Sequence, residues 1–193
     1  MINAIKNKGT GAGGANTTLN GSSFEVKIDN EQRLREKGFV QKLFKNGTTN
    51  YLEKDEESRI IHFVKQRGLR YYMKEFHEKD IFRNPDEAYI FTDKNTGIIE
   101  VKILEKKNQN KDGSVEDKLC LGHHFKFTEY PFYLGEKFKV DYAFAISDFL
   151  KNKYNSDHPK WKLIRYTNDK NEIPVFFGDE ESYYTKLDTW LNL

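Results

Sequence analysis

The stretch from Pro85 to Lys118 reads PDEAYIFTDKNTGIIEVKILEKKNQNKDGSVEDK. It holds two apolar runs on either side of a turn sequence, in which Asn95 and Gly97 favour a tight hairpin. We therefore expect two paired strands at the centre of the fold, within a hairpin that covers residues 85–109. Asp86 stands where the first strand begins, and charged residues close the second.

The second strand divides into two rows of side chains, because successive residues of a strand point to opposite faces. One row is apolar at first and ends in charges; it consists of Ile99, Val101, Ile103, Glu105 and Lys107. Charges on a core-facing row are costly unless they are paired or bind metal, so we expect this row to leave the core and enter a cleft. The other row carries Glu100 and Lys102, which we expect to form an exposed pair. The working Glu-x-Lys motif is therefore expected at Glu105 and Lys107.

Hairpin geometry connects Asp86 to Glu105. If the turn is centred on residues 95–96, antiparallel pairing sets the two carboxylates level with each other at one end of the sheet, with Lys107 beside them. Carboxylate oxygens suit a hard divalent ion such as Mg²⁺, and the backbone carbonyl of Lys106 is a further candidate ligand. Such an ion can activate water for phosphodiester hydrolysis. The alternative interpretation is that these residues are ordinary surface charges.

Several runs of the sequence match one known pattern: GAGGANT at 11–17, FE at 24–25, PDEAY at 85–89, ILEKKNQN at 103–110, GSVE at 113–116 and FGD at 177–179. Together they resemble the PD-(D/E)XK nucleases, and within them a group of type II restriction endonucleases. Thr18 stands where Asn is expected in that group. The resemblance covers nearly the whole chain and implies an α/β fold with a PD-(D/E)XK core.

The resemblance also implies roles for individual residues. Asp86 and Glu105 would bind Mg²⁺ or Mn²⁺, and Lys107 would be the catalytic lysine. Glu25 matches the position of a further acidic active-site residue. The alternative for Glu25 is a plain helix-start residue, since an acid in the first turn of a helix interacts favourably with the helix dipole.

Seven residues are candidates for contact with DNA: Asn16, Asn108, Gln109, Asn110, Lys111, Ser114 and Lys118. Asn and Gln can bind adenine edges, a helix start at Ser114 can hold a phosphate, and lysines, Lys106 among them, can bind phosphates. Asn16 belongs to a Gly-rich arm of residues 1–23, which can wrap DNA. The alternative is a flexible tail and an ordinary polar loop.

The remaining patterns predict alternating helices and strands. Helices are expected from about Phe24 to Lys37 with a cap at Ser22 or Ser23 and a stop at Gly38, and at 69–76, 114–119, 148–154 and 182–193. Further strands are expected at 60–64, 138–146 and 173–177, whereas residues 51–57 are expected to be exposed. This order predicts one α/β domain over residues 1–193, with one mixed central sheet flanked by helices.

Composition excludes several classes of protein. Cys120 is the single cysteine, so an internal disulfide and a Cys-rich zinc module are both excluded. No apolar run approaches the ~20 residues of a membrane span. The net charge of +2 does not by itself indicate a nucleic-acid partner. We expect a cytoplasmic protein of a prokaryotic or viral host cell, without a membrane or small-molecule cofactor partner.

The function expected from the resemblance is sequence-specific cleavage of double-stranded DNA by a Mg²⁺-dependent type II restriction enzyme. Cutting both strands of a palindrome asks for two active sites, so a homodimer is expected. Two alternatives remain open at this point. One is a structure-specific repair or junction nuclease on the same fold, and the other is a non-catalytic DNA-binding protein.

Overall fold

A mixed sheet of seven strands forms the middle layer of the protein, with helices on both faces. The computed structural model describes residue 24 and residues 27–108 and 114–193. The strands are β1 (Val40–Leu43), β2 (Asn50–Asp55), β3 (Arg59–Lys65), β4 (Glu87–Asp93), β5 (Ile99–Lys107), β6 (Phe138–Ile146) and β7 (Val175–Phe177). The helices are α1 (Asn30–Glu36), α2 (Gly68–His77), α3 (Ser114–Cys120), α4 (Gly122–His124), a π-helical turn (Phe125–Glu129), α5 (Tyr130–Leu134), α6 (Asp148–Tyr154), α7 (Pro159–Lys170) and α8 (Tyr183–Leu191).

The order of strands in the sheet follows the order of strands in the chain. Strands β1 to β5 pair antiparallel, and β6 and β7 then add in parallel on the far side of β5. The helical crossover between β5 and β6 permits this change of direction, because parallel neighbours cannot be joined by a tight turn. The predicted α/β class, with one mixed sheet flanked by helices, is confirmed.

Two apolar cores lie on opposite faces of the sheet. The first joins Val101 and Ile103 of β5 to α2, α3 and the helices from α5 to α7. The second joins Leu104 of β5 to α1 and α8. Burial on both faces means that both side-chain rows of β5 lie inside the protein, and this arrangement decides what its charged residues can do.

The helix predicted from Phe24 to Lys37 is interrupted. Asp29 caps α1: its backbone is extended and its carboxylate accepts a hydrogen bond of 2.9 Å from the amide of Glu31. An N-cap residue has non-helical dihedrals, so the helix begins after it. The predicted stop at Gly38 is confirmed by its φ of +89°, which glycine adopts without strain. The cap predicted at residues 22–23 lies outside the described residues.

Some elements are not predicted by the sequence patterns. Residues 51–57 were expected to be exposed, yet they contribute most of β2, where Tyr51 and Leu52 are buried on opposite faces of the sheet. Helix α7 and the helical turns over 122–134 are also additional. The other predicted elements are present within a few residues of their expected ends, and β7, which follows Pro174, is an edge strand as predicted.

No helix within the described ranges combines the length and the apolar character that crossing a membrane requires.

Candidate active site at the end of the central hairpin

The register of β4 and β5 brings Asp86 and Glu105 together. Glu87 pairs with Leu104, so Asp86, the residue before β4, stands level with Glu105. The amide of Lys106 donates a hydrogen bond of 2.7 Å to Asp86 Oδ2 and closes the hairpin where the regular ladder ends. The predicted register is confirmed.

The turn at the other end of the hairpin fixes this register. Asp93 Oδ1 accepts hydrogen bonds from the amides of Asn95 and Thr96, at 2.9 and 2.7 Å. Gly97 follows with a φ of +69°, a conformation that favours glycine. Because the side-chain period of a strand is two, a slip of one residue would turn Glu105 and Lys107 to the opposite face.

Lys107 is held between the two carboxylates. Its Nζ lies 2.7 Å from Glu105 Oε2 and 3.7 Å from Asp86 Oδ2, and only 12% of its side chain is exposed. Charge-assisted contacts of this length are stronger than neutral hydrogen bonds. The structure therefore brings all three predicted residues of the hairpin into one cluster.

The cluster lies beside a cleft of about 330 Å³. The cleft is lined by Phe82, Arg83, Asn84, Glu105, Lys107, Lys118, Phe125, Tyr130 and Tyr142. The apolar row of β5 thus continues into a concave, mixed polar and aromatic surface, as predicted from strand periodicity. A concavity of this kind is the common form of a binding site.

Burial raises the pKa of the Glu105 carboxyl above its usual range, despite the opposing effect of the Lys107 ammonium; the nearby charge of Asp86 raises this pKa further. Burial likewise raises the pKa of the phenols of Tyr130 and Tyr142, and the charge of Glu105 adds to this effect. The negative charge of Glu105 is therefore incompletely compensated, and a cation in the cleft would interact favourably with it.

Lys106, between Glu105 and Lys107, points to the other face of the sheet. Its Nζ lies 2.6 Å from Glu87 Oε1 and donates a hydrogen bond of 3.0 Å to the carbonyl of Ile28. The second oxygen of Glu87 accepts from Asn30 Nδ2 at 2.7 Å and from the Tyr89 hydroxyl at 2.8 Å. The prediction of Lys106 as a phosphate contact is wrong for its side chain, because that ammonium is enclosed in this buried network.

The predicted exposed pair of Glu100 and Lys102 is exposed at Glu100 alone, where 42% of the side chain faces solvent. Lys102 is only 11% exposed along its side chain, lies 3.3 Å from Glu100, and donates a hydrogen bond of 2.6 Å to the carbonyl of Trp190. Helix α8 covers Lys102 and packs in the second core with Leu104 of the same row. The prediction that Glu105 and Lys107 reach the cleft is unaffected.

The donor atoms at the cluster suit a hard cation. Within the described residues, neither Asp86 Oδ1 nor Glu105 Oε1 accepts a hydrogen bond, so each carboxylate keeps one uncommitted oxygen. The carbonyl of Lys107 accepts from Ser147 on the β6 side, so that of Lys106, one residue earlier, points towards β4 and Asp86. Oxygen ligands of this number suit Mg²⁺, which keeps several waters.

The described part of the chain holds no cluster of three or more His, Cys, Asp and Glu side chains that could bind a metal. Within that part of the chain, Asp86 and Glu105 are the two carboxylates of the cluster. Glu25, the third acid implied by the resemblance, lies outside the described residues.

Comparisons with protein-family models, with curated proteins and with solved structures return no match to this chain.

The remaining predicted contact residues are only partly described. Lys118 lines the cleft from α3, and Ser114 begins that helix. The carbonyl of Asn108 accepts a hydrogen bond from the Ser147 hydroxyl, which fixes the chain just after β5. Four further candidates lie outside the described residues, namely Asn16, Gln109, Asn110 and Lys111.

Sequence reasoning missed six of the nine residues that line the cleft, among them Arg83, Tyr130 and Tyr142. Arg83 forms an ion pair with Glu129 of the π-helical turn and lies 4.9 Å from the centre of the Phe125 ring. Its position just before Pro85-Asp86 was the signal available. The sequence gives no signal that Tyr142 or Tyr130 lines a cleft, because an aromatic residue in an alternating strand or an unpredicted helix is indistinguishable from an ordinary core residue.

Proposed function

We propose that this protein is a Mg²⁺-dependent, sequence-specific endonuclease for double-stranded DNA, of the type II restriction kind, with a PD-(D/E)XK core. The observation that carries the proposal is the convergence of Asp86, Glu105 and Lys107 beside one cleft, through a register that the sequence predicts. The mixed sheet flanked by helices agrees with the architecture that the resemblance implies.

The metal assignment follows from the uncommitted oxygens. Asp86 and Glu105 would hold Mg²⁺ or Mn²⁺, together with the carbonyl of Lys106. When bound, such an ion lowers the pKa of a coordinated water and offsets negative charge on a phosphoryl group.

The chain's own residues supply orientation and positive charge. Lys107 Nζ, held by Glu105, can donate a hydrogen bond to a water or to a phosphate oxygen and so fix it beside the carboxylates. Lys118 adds positive charge to the cleft, where a polyanionic substrate would lie. Phe125, Tyr130 and Tyr142 form an aromatic wall on the core side of the cleft.

The test is digestion of a long plasmid in the presence of Mg²⁺, followed by sequencing of the ends. Asp86→Asn, Glu105→Gln and Lys107→Ala are each expected to lower the cleavage rate by at least about 100-fold. The two amide variants keep an oxygen that can accept the hydrogen bonds from the Lys106 amide and from Lys107, so we expect the fold and DNA binding to persist.

Glu100→Gln is the matched control, because it makes the same change on the same strand at the alternative Glu-x-Lys motif. It is expected to cut at the wild-type rate. If the Asp86, Glu105 and Lys107 variants still cut, the site assignment fails. Discrete fragments with uniform ends support a restriction enzyme, cutting confined to branched DNA indicates a junction nuclease, and binding without cutting indicates a non-catalytic protein.

A further inference from the structure

A second concave surface lies on the outer face of α2. It has a volume of about 350 Å³ and is lined by Arg67, Arg70, Tyr71, Lys74, Asp80 and Ile81. The three basic residues are separated by three and four positions, so they share one side of the helix. They span about 10.5 Å along the helix axis at about 1.5 Å per residue.

The positive charge on this surface is largely uncommitted. Within the described residues, the side chains of Arg67 and Arg70 form no ion pair and no hydrogen bond, and both are exposed. Lys74 contacts Asp80 at 2.9 Å, but both side chains are more than half exposed, at 62% and 73%. Exposed pairs of this kind contribute little, so Lys74 can exchange this partner for another anion at small cost.

The basic surface and the catalytic cleft are neighbours. One short segment borders both: Asp80 and Ile81 line the basic surface, and Phe82, Arg83 and Asn84 line the cleft. A second link is Gln66, the residue before Arg67, whose amide lies 3.4 Å from the carbonyl of Asp86. A ligand leaving the cleft across this segment would reach Arg67 and Arg70 next.

The helix presents these charges rigidly. Leu69, Tyr72 and Met73 bury the inner face of α2 against the sheet, and Ile81 anchors the bordering segment. At Gly68 the backbone approaches β3 so closely that an added Cβ would lie 2.9 Å from Val64 Cβ. The basic face is therefore fixed outwards with little conformational freedom to lose on binding.

We propose that Arg67, Arg70 and Lys74 form a binding surface for the phosphodiester backbone of duplex DNA outside the catalytic cleft. The choice of duplex DNA as the ligand rests on the proposed function. Phosphates recur about every 3.4 Å along the duplex axis on each strand, so a track of about 10.5 Å covers about three steps. The surface would fix the register of the duplex rather than read its sequence.

The experiment measures binding of the full chain to a fluorescent duplex by anisotropy, in a chelator so that no divalent ion is present, over a series of salt concentrations. Arg67→Ala/Arg70→Ala is expected to reduce the slope of log K against log salt by about 0.9 for each lost phosphate contact. The weakening should be similar for unrelated duplex sequences, because backbone contacts carry no sequence information.

Lys137→Ala/Lys139→Ala is the matched control. It removes two exposed charges near the start of β6, where Lys139 pairs with Glu100 at the far end of β5 from Lys107. This control is expected to leave the slope unchanged. The inference is overturned if the control lowers the slope as much as the arginine variant does, or if the arginine variant keeps the wild-type slope.

Further ligands separate the classes of partner. Tighter arginine-dependent binding to an acidic peptide or to anionic vesicles than to the duplex would overturn the inference. If the chain cleaves DNA but the arginine variant binds the duplex as the wild type does, the proposed function is supported and the proposed surface is refuted. If the chain does not cleave DNA but its binding to the duplex depends on Arg67 and Arg70, the proposed surface is supported and the proposed function is refuted.

Discussion

His62 lies on β3 beneath the aromatic side chains of α2, and only 7% of its surface is exposed. Its ring contacts Glu53 Oε2 at 3.1 Å and the Tyr72 hydroxyl at 3.3 Å. Burial lowers the pKa of this imidazole below its ordinary value of 6.5, and the opposing effect of Glu53 is smaller. The folded protein therefore favours neutral His62.

This charge preference predicts a pH dependence of stability. Below pH 6.5 the unfolded chain binds a proton at His62 more readily than the folded chain does. The contribution of neutral His62 to the free energy of unfolding is therefore fully present above pH 6.5 and is lost as the pH falls below it. His62→Gln is expected to reduce the fall in the free energy of unfolding between about pH 8 and about pH 5. Urea unfolding of both proteins at the two pH values measures the difference.

An unchanged pH dependence in the His62 variant would show that burial of this ring does not control its protonation.

At the residue scale, sequence periodicity was sufficient to choose Glu105 and Lys107 over Glu100 and Lys102. It was insufficient for Lys106 and Lys102, because their alternation with apolar neighbours is also what a solvent-facing row produces. Only the position of α1 and α8 reveals that these ammonium groups are enclosed. Burial by a distant element is a tertiary fact that a local pattern does not contain.

The buried pair of Glu87 and Lys106 ties three elements together. It joins β4 to β5, and the bond from Lys106 to the Ile28 carbonyl adds the chain that leads into α1. Their side chains are 1% and 5% exposed. The pair therefore holds from behind the strand whose front carries Glu105 and Lys107.

Removing one charge of this pair is expected to destabilise the protein. Lys106→Met leaves the Glu87 carboxylate buried without its cation, which costs about 3–5 kcal/mol of the free energy of unfolding. Adding Glu87→Gln removes that charge while its amide oxygen still accepts from Asn30 and Tyr89, so the double variant should recover most of the loss. Urea denaturation of the two variants and the wild type measures both effects.

Equal losses in the single and double variants would contradict the account based on an unpaired buried charge. Such a result would attribute the effect to packing of the Lys106 stem instead. The comparison therefore tests the electrostatic explanation apart from the volume of the side chain.

At the element scale, strands and helices with a clear period were predictable, and β6 and α6 have the expected bounds. Strand β2 was missed because Tyr51 and Leu52 bury on opposite faces, which leaves no alternation in a charged segment. Helix α7 was missed because it exposes Leu163 and Tyr166 and so lacks a clean apolar stripe. In both cases the partner element, rather than the segment itself, determines the structure.

For the whole molecule, the proposed double-strand cleavage asks for two copies of the cleft. We predict that the chain is a dimer when it binds a duplex containing its recognition sequence, with two chains for one duplex. Light scattering after size-exclusion chromatography, with and without duplex, gives the mass. One chain for each duplex would contradict cleavage by a symmetric pair and favour a nicking or junction-specific enzyme.

The sheet class and the convergence of Asp86, Glu105 and Lys107 were predictable at this scale, because they depend on one hairpin and its register. The packing of α1 and α8 on the second face of the sheet and the basic surface on α2 were not predictable from the sequence. Arg67, Arg70 and Lys74 read as an ordinary solvated helix face in the sequence. Their proximity to the cleft follows from the segment of residues 80–84, whose path no local pattern specifies.

The matching order of strands in chain and sheet bears on how the protein folds. Short connections join β1 to β2, β2 to β3 and β4 to β5, so these pairings close small loops and form early at low entropic cost. The pairing of β3 with β4 closes a longer loop that carries α2. The pairing of β5 with β6 must wait for closure of the long crossover that carries α3 to α5. The two carboxylates are therefore brought together by a local event, whereas the tyrosine wall of the cleft arrives late, and a nascent chain would hold the acids in open water before it encloses them.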